Sequence, residues 1–259
     1  FSELILKGGL KIIGKKRVFI QDKQIGWVPK PNISYTKKLI SSKKRSYKAY
    51  YTTDENGFRY SNKNTLNDGQ GKSRKKLLII GDSYTGGIYS SDFSAWFAVL
   101  EKKLNLDVYA YGIPGSGTLQ QWLAYKRLRK YINPDILLIQ ACTNDIFNDS
   151  LEFSYVTITR NQALRAPYLI NDVISQRQGL YPKIYRFLIN RSDLFYLLDY
   201  SLMVLQSKNF NKWEILPEDI LKKEIFNWSN LFEDYIQDAK NDGIDKIWTT
   251  NCQSIFEEN

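Results

Sequence analysis

A regular alternation of short apolar runs and helical patterns after residue 75 constrains the fold more than any other feature. Leu77–Ile80 is a continuous apolar run, which is typical of a strand buried on both faces. Strand-like runs recur at 106–111, 136–140 and 246–249, with apolar residues at helical spacing between them. Strands that alternate with helices in this way are joined by right-handed crossovers. The sequence therefore predicts an α/β fold with a doubly wound parallel sheet.

The chain before the sheet is predicted to be a small β-rich extension. It contains short strand-like runs and the turn sequence Asp54–Gly57, which is typical of hairpins. The polar, glycine-containing stretch 61–74 is typical of a linker. We predict the extension at 1–72 and the α/β domain at 73–259, with a helical insertion at about 150–215. Whether this insertion forms a lid stays open.

Positive charge is concentrated in the N-terminal part of the chain. Residues 1–80 hold 19 Lys and Arg against 5 Asp and Glu, although the whole chain carries only +10. A solvated basic face is the simplest interpretation, while an anionic glycan or a membrane surface are the partners that such charge attracts. The segment Leu4–Ile13 is suited to lie on a membrane, but its adjacent glycines disfavour a helix. No signature of nucleic-acid binding accompanies the charge, so nucleic acid is not an expected partner.

The two cysteines, Cys142 and Cys252, are too few for a disulfide framework and lack the spacing of metal ligands. Each follows a strand-like run, so neighbouring strand ends would bring them side by side. We favour two unpaired buried thiols, and pairing stays open.

Chemistry-bearing residues follow each of the first three predicted strands. Ser83 comes directly after the first strand, Gly112 after the second and Asn144 after the third. Ligands of such sheets bind beyond the carboxyl ends of the strands. A serine exposed on a tight turn suits a nucleophile, and a glycine N–H and an asparagine amide suit donors to an oxyanion. Singly each residue is an ordinary turn or cap, but their order predicts a nucleophile with an oxyanion hole.

Other nucleotide or hydrolase motifs do not fit the same segments. The glycines of 111–118 lack the spacing of a dinucleotide fingerprint, and no lysine makes them a phosphate-binding loop. Thr85 stands where the nucleophile elbow of α/β-hydrolases has its second glycine.

The three segments together resemble the SGNH hydrolase superfamily, also called GDSL-like lipases and acylesterases, over about residues 17–259. The resemblance implies a flavodoxin-like three-layer α/β/α fold and a serine esterase that needs no metal or organic cofactor. It implies that Ser83 is the nucleophile and gives a backbone N–H to the oxyanion hole, which Gly112 and Asn144 complete. Asp82 and Asp145 would brace loops.

The segment Asp54–Arg59 is similar to one that precedes the catalytic domain in a bacterial branch of this superfamily. Members of that branch often modify cell-envelope glycans. This similarity implies an acyl ester substrate such as an O-acetyl group on a polysaccharide, with transfer of the acyl group to a sugar as an alternative to hydrolysis. It favours the bacterial cell envelope or secretion as the location, although the residues themselves leave the compartment open.

The chain departs from the resemblance in one respect, since it contains no histidine. The superfamily has its general base in an Asp-x-x-His element near the C-terminus. We expect this element to follow Asn259, which would leave residues 1–259 poorly active by themselves. The alternative is a true loss of the base, which would make the protein a binding module that docks an acidic glycan or a membrane.

Overall fold

The computed structural model describes residues 17–40, 46–59, 74–151, 153–154, 165–171, 173–175, 180–192, 194–198 and 218–251. Its strands are β1 (Phe19–Asp22), β2 (Gly26–Pro29), β3 (Ser34–Ile40), β4 (Ser46–Thr52), β5 (Lys76–Gly81), β6 (Asp107–Gly112), β7 (Ile136–Ala141), β8 (Tyr168–Ile170), β9 (Val173–Ser175) and β10 (Lys246–Asn251). Its helices are α1 (Ser83–Gly86), α2 (Trp96–Leu104), α3 (Thr118–Ile132), α4 (Thr143–Asn148), α5 (Leu180–Arg191) and α6 (Glu218–Asn241).

The predicted parallel sheet is confirmed, with the strand order β10-β7-β5-β6. All three pairings are parallel, and Gly81 at the end of β5 lies opposite both Gly112 and Gln140. From β5 the chain crosses to β6 on one side and then to β7 on the other, so the strand order reverses at β5. In doubly wound sheets ligands bind beyond the strand ends at such a reversal, so the residues that follow β5 are candidates for the site.

Both faces of the central strand are covered, as its apolar run predicts. Leu77 and Ile79 pack on one face with α2, and Leu78 and Ile80 are equally buried on the other. Period-two alternation sends successive side chains to opposite faces, so a strand without polar positions must be buried on both. The core residues on the α2 face are Leu77, Ile79, Ala95, Phe97, Leu106, Val108, Ala110, Ile136 and Leu138.

The ends of the helices follow the sequence signals. Helix α6 follows Pro217, and Gly243 adopts a φ of +79° just past its end. Helix α2 begins at Trp96, because Asp92–Ser94 before it forms a 3₁₀ turn. Phe93 in this turn is exposed.

The described residues fall into two compact units. We call residues 29–114, 124–143 and 233–259 the sheet unit, and residues 1–28, 115–123 and 144–232 the insertion unit. The first contains the parallel sheet and the antiparallel hairpin of β3 and β4. The second contains the β1–β2 and β8–β9 pairs and α5. The extension is therefore divided between the two units, and its boundary at residue 72 stays a prediction because residues 60–73 lie outside the described part.

The insertion differs in part from its prediction. Helix α5 is present, but the β8–β9 hairpin precedes it, where the apolar residues indicated only helix. Leu4–Ile13 and most of the predicted linker 61–74 lie outside the described residues. None of the helices in the described part of the chain has both the length and the apolar character needed to cross a bilayer.

The expectation of two unpaired thiols is wrong for Cys142. This residue is buried at the end of β7 and takes part in a disulfide bond. Cys252 lies outside the described residues.

Candidate active site

Ser83 lies at the first position of α1, directly beyond β5. Asp82 is buried and caps the helix: one carboxylate oxygen accepts the N–H of Tyr84 at 3.0 Å, and the other accepts the Ser83 hydroxyl at 3.2 Å. Ser83 itself is exposed. The short side chain of Ser83 is thus exposed to solvent on a turn, and the residue before it, Asp82, is held in the core.

The backbone N–H of Ser83 suits an oxyanion donor. N–H groups in the first turn of a helix have no acceptor within the helix, and they carry the positive end of its dipole. Such a donor is worth most when it is fixed before the reaction begins. The carbonyl of Asp82, which belongs to the same peptide as the Ser83 N–H, accepts the N–H of Gly86 at 2.9 Å, so this peptide is anchored from the other side.

Gly112 lies against the same turn, at the end of the neighbouring strand β6. A Cβ on Gly112 would overlap the backbone N and Cα of Gly86 and the carbonyl carbon of Thr85. The N–H of Ile113 donates to Gly81 in β5, and because successive strand N–H groups alternate in direction, that of Gly112 points away from β5. Packing alone therefore requires a glycine here, and its role as an oxyanion donor stays a prediction.

A buried hydrogen bond fixes the middle of the turn to β7. The Thr85 hydroxyl donates to the side-chain oxygen of Gln140 at 2.6 Å, and both residues are fully buried. A Cβ on Gly81 would overlap the Thr85 hydroxyl and lie 2.9 Å from Cβ of Gln140. The glycine that ends β5 thus lets the turn fold back onto the sheet, which explains the Gly-Asp-Ser sequence at this point.

Arg59 holds the C-terminal end of the turn. Its guanidinium donates to the carbonyls of Gly86 at 2.6 Å and Gly87 at 2.8 Å, and it forms a salt bridge of 2.7 Å with Asp92. The backbone N–H of Arg59 donates to Ala110 in β6, which ties the segment to the edge of the sheet. The end of the N-terminal extension is therefore part of the support for Ser83.

Asn144 belongs to the insertion unit, as the second residue of α4. It is half-buried and follows the end of β7 by three residues. Two neighbours tie the same helix to the 115–121 segment: Asp145 accepts the amide of Gln121 at 3.1 Å, and Asn148 donates to the carbonyl of Ser116 at 3.1 Å. The predicted brace role of Asp145 agrees with this contact, while the role of Asn144 stays a prediction.

Asp149 connects the segment that follows α4 to the start of α3, and both belong to the insertion unit. Its carboxylate accepts the N–H groups of Thr118 at 2.8 Å and Leu119 at 2.9 Å. Burial raises the pKa of Asp149 to about 7, and these hydrogen bonds act against that rise. The carboxyl that caps α3 therefore titrates near neutral pH.

The structure reveals two supporting residues whose roles the sequence did not assign. Arg59 is the last residue of the Asp54–Arg59 segment, so the sequence contained a signal for it but not its contact. Asp149 had no signal, because it belongs to an Asn-Asp pair (Asn148 and Asp149), which is common in turns. Within the described residues, no group of acidic or cysteine side chains is arranged to hold a metal ion.

Residues 79–189 match the model of the GDSL-like Lipase/Acylhydrolase family. The match begins inside β5 and contains all three residues that we assign to the site, Ser83, Gly112 and Asn144. No curated protein matches the chain.

Proposed function

We propose that the protein is a serine esterase with Ser83 as nucleophile. The match of residues 79–189 to the GDSL-like Lipase/Acylhydrolase family supports membership of the SGNH hydrolase superfamily. The observation that carries the proposal is the position of Ser83. Ser83 is exposed directly beyond β5, the strand at which the sheet order reverses, while Asp82 and Thr85 on either side of it are buried and hydrogen-bonded. A rigid turn that presents an exposed serine hydroxyl is what acyl transfer to serine requires.

The proposed reaction proceeds through an acyl-enzyme. Oγ of Ser83 attacks the carbonyl carbon of the ester, and its proton passes to a general base. The carbonyl oxygen becomes an oxyanion, for which we propose the N–H groups of Ser83 and Gly112 and the amide of Asn144 as donors. The bond to the alcohol then breaks, the alcohol takes the proton, and water releases the acyl group from Ser83 by the same steps.

The general base is not an imidazole of these 259 residues, because they include no histidine. Asp82 contacts the Ser83 hydroxyl, but its two oxygens are used by the turn, and an ordinary carboxylate is a weak base for a hydroxyl. The proposal therefore requires a general base other than Asp82 and other than an imidazole of these residues.

An O-acetyl group on a polysaccharide is the substrate that we propose. Several aromatic side chains close to Ser83 along the chain are exposed, and their rings suit the apolar faces of sugars. The exposed fractions are 42% for Tyr84, 60% for Tyr89 and 65% for Phe93. Transfer of the acyl group to a second sugar uses the same residues as hydrolysis, so the two reactions must be separated by product analysis.

A binding module without catalysis is the second candidate function. The absence of histidine favours it directly, because a serine without a base keeps the shape of a pocket but loses its reactivity. In this case the oxyanion donors would hold a carbonyl or carboxylate group of a glycan.

Ester hydrolysis by the protein expressed from its complete gene distinguishes the two candidates. We expect acetate release from p-nitrophenyl acetate and from an O-acetylated polysaccharide, and a loss of about a thousandfold or more in S83A. The matched control is S94A, since Ser94 also carries an exposed hydroxyl in the segment after β5 and donates to the carbonyl of Ser91 at 3.3 Å. It should keep activity within a few-fold. Equal activity of wild type and S83A would contradict the esterase.

A further inference from the structure

The Arg59 guanidinium has all five of its N–H donors paired. Two bonds go to the carbonyls of Gly86 and Gly87, one to that of Ser90 at 3.2 Å, and two to Oδ1 of Asp92 at 3.0 and 2.7 Å. The side chain is only 1% exposed. A buried charge is tolerated only when it is paired and hydrogen-bonded, and this one is fully satisfied.

Aromatic rings enclose the guanidinium from within the same unit. The Tyr51 ring centroid lies 4.1 Å from the guanidinium carbon and that of Phe97 lies at 5.4 Å. Burial raises the pKa of Tyr51 to about 12, so the ring meets the cation as a neutral phenol at physiological pH. Flat packing against rings and a planar fork of donors are properties of arginine that lysine lacks.

The contacts of Arg59 lead directly to the reactive residue. The Gly87 carbonyl accepts from Arg59, and the N–H of the same residue donates to the carbonyl of Ser83. Gly87 has a φ of +53°, which ends α1 after a single turn. Four residues cannot form a stable helix by themselves, so the orientation of Ser83 depends on what holds the two ends of the turn. Asp82 holds one end and Arg59 the other.

We infer that Arg59 is a positioning residue for Ser83, which fixes the end of the nucleophile turn and thereby the direction of the Ser83 hydroxyl and N–H. This inference rests on the proposed function. It makes the end of the N-terminal extension a functional part of the esterase, although no atom of Arg59 needs to touch the substrate.

The test compares R59K with R17K in the protein expressed from its complete gene. Arg17 is a matched control, because its guanidinium also donates to two carbonyls, those of Asn190 and Ser192, and lies 4.8 Å from the Tyr196 ring, but in the insertion unit. Both variants are assayed at a temperature where circular dichroism shows them folded. The readouts are the rate of Ser83 labelling by a fluorophosphonate and the separate kcat and KM for p-nitrophenyl acetate.

We expect R59K to lower kcat and the labelling rate by about 30- to 100-fold with KM within about twofold, because a small misplacement of a reacting atom acts on the chemical step. R17K should label at the wild-type rate. Amide exchange at Gly86 and Gly87 should rise in R59K while exchange in β5 stays unchanged. If R59K does not fold, D92N replaces it, since Asp92→Asn keeps the guanidinium and weakens its ion pair, and should slow labelling by about tenfold.

Two failures are distinguishable. A wild type that is labelled, with R59K or D92N labelled as fast as R17K, overturns the positioning role and leaves the esterase intact. A wild type that is not labelled at all contradicts the proposed function, and the inference falls with it.

Discussion

The helices that follow β5 and β7 begin alike but are held in different ways. Each starts within two residues of a strand end, and each has an aspartate beside its candidate site residue, Asp82 beside Ser83 and Asp145 beside Asn144. The turn after β5 is held at its far end by Arg59, which lies 27 positions before Gly86. Helix α4, after β7, is held by amides and carboxylates of its own unit, including Asp145 and Asn148.

The support of the turn after β5 and the support near α4 also differ in how they respond to pH. Arginine stays protonated at every pH that a folded protein experiences. Burial raises the pKa of Asp149, one residue beyond α4, to about 7. The side chain that accepts the N–H groups at the start of α3 therefore changes from a neutral carboxyl to a carboxylate near neutral pH. The nucleophile turn should therefore be insensitive to pH where the segment 115–121 is not.

The largest expected effect is that of an added methyl group at the nucleophile turn. In G112A the new Cβ would overlap the backbone of Gly86, which cannot move without displacing α1, so we expect a loss of about 3 kcal/mol or more. G117A is the counterpart in the other unit, where the new Cβ would meet mainly the Asp149 carboxylate and would lie 2.9 Å from the Asp149 backbone N. The carboxylate can rotate away at the cost of its cap bonds and the backbone contact needs only a small shift, so we expect a smaller loss of about 1 to 2 kcal/mol.

Urea unfolding measures both losses as shifts of the midpoint at constant slope. If G112A were no more destabilising than G117A, the packing of the Ser83 turn against β6 would be looser than the structure shows. The contact of Gly112 with backbone atoms would then be no more rigid than the contact of Gly117, which is mainly with a side chain.

A smaller effect concerns pH. The pKa of Asp149 is about 7 in the folded protein against 3.8 as its ordinary value, so the folded state binds this proton more tightly. The contribution of Asp149 to stability is then fully present below about pH 4 and is lost as the pH rises to 7, with a slope of at most about 1.4 kcal/mol per pH unit. In D149N this slope should disappear from the unfolding free energy measured between pH 5 and 7.

The control for this prediction is D238N, which removes a carboxylate from the partly exposed ion pair with Lys126. It should keep the pH slope of the wild type, since Asp149 is unchanged. A D149N profile parallel to the wild-type profile would show that the Asp149 carboxyl does not titrate in this range.

The sheet could be predicted from the sequence because a strand buried on both faces has only apolar residues, as Leu77–Ile80 has. Ser83 could be identified because the carboxyl ends of parallel strands lie at the same edge of a sheet. A residue that follows β5 is therefore expected where ligands bind. The contact between Arg59 and Gly86 could not, since hydrogen bonds to backbone carbonyls leave no pattern in the acceptor residues. A glycine in a sequence also does not reveal which of its properties is needed, so the sequence could not distinguish a need for the N–H of Gly112 from a need for its lack of a side chain.

The central claim is that Ser83 is the nucleophile, and the site of a covalent adduct tests it most directly. The protein expressed from its complete gene is treated with a fluorophosphonate, digested and mapped by mass spectrometry, with S83A and S94A in parallel. We predict a single adduct on Ser83 in the wild type and in S94A, and none in S83A. An adduct on a different residue, or no adduct on the wild type, would contradict the claim.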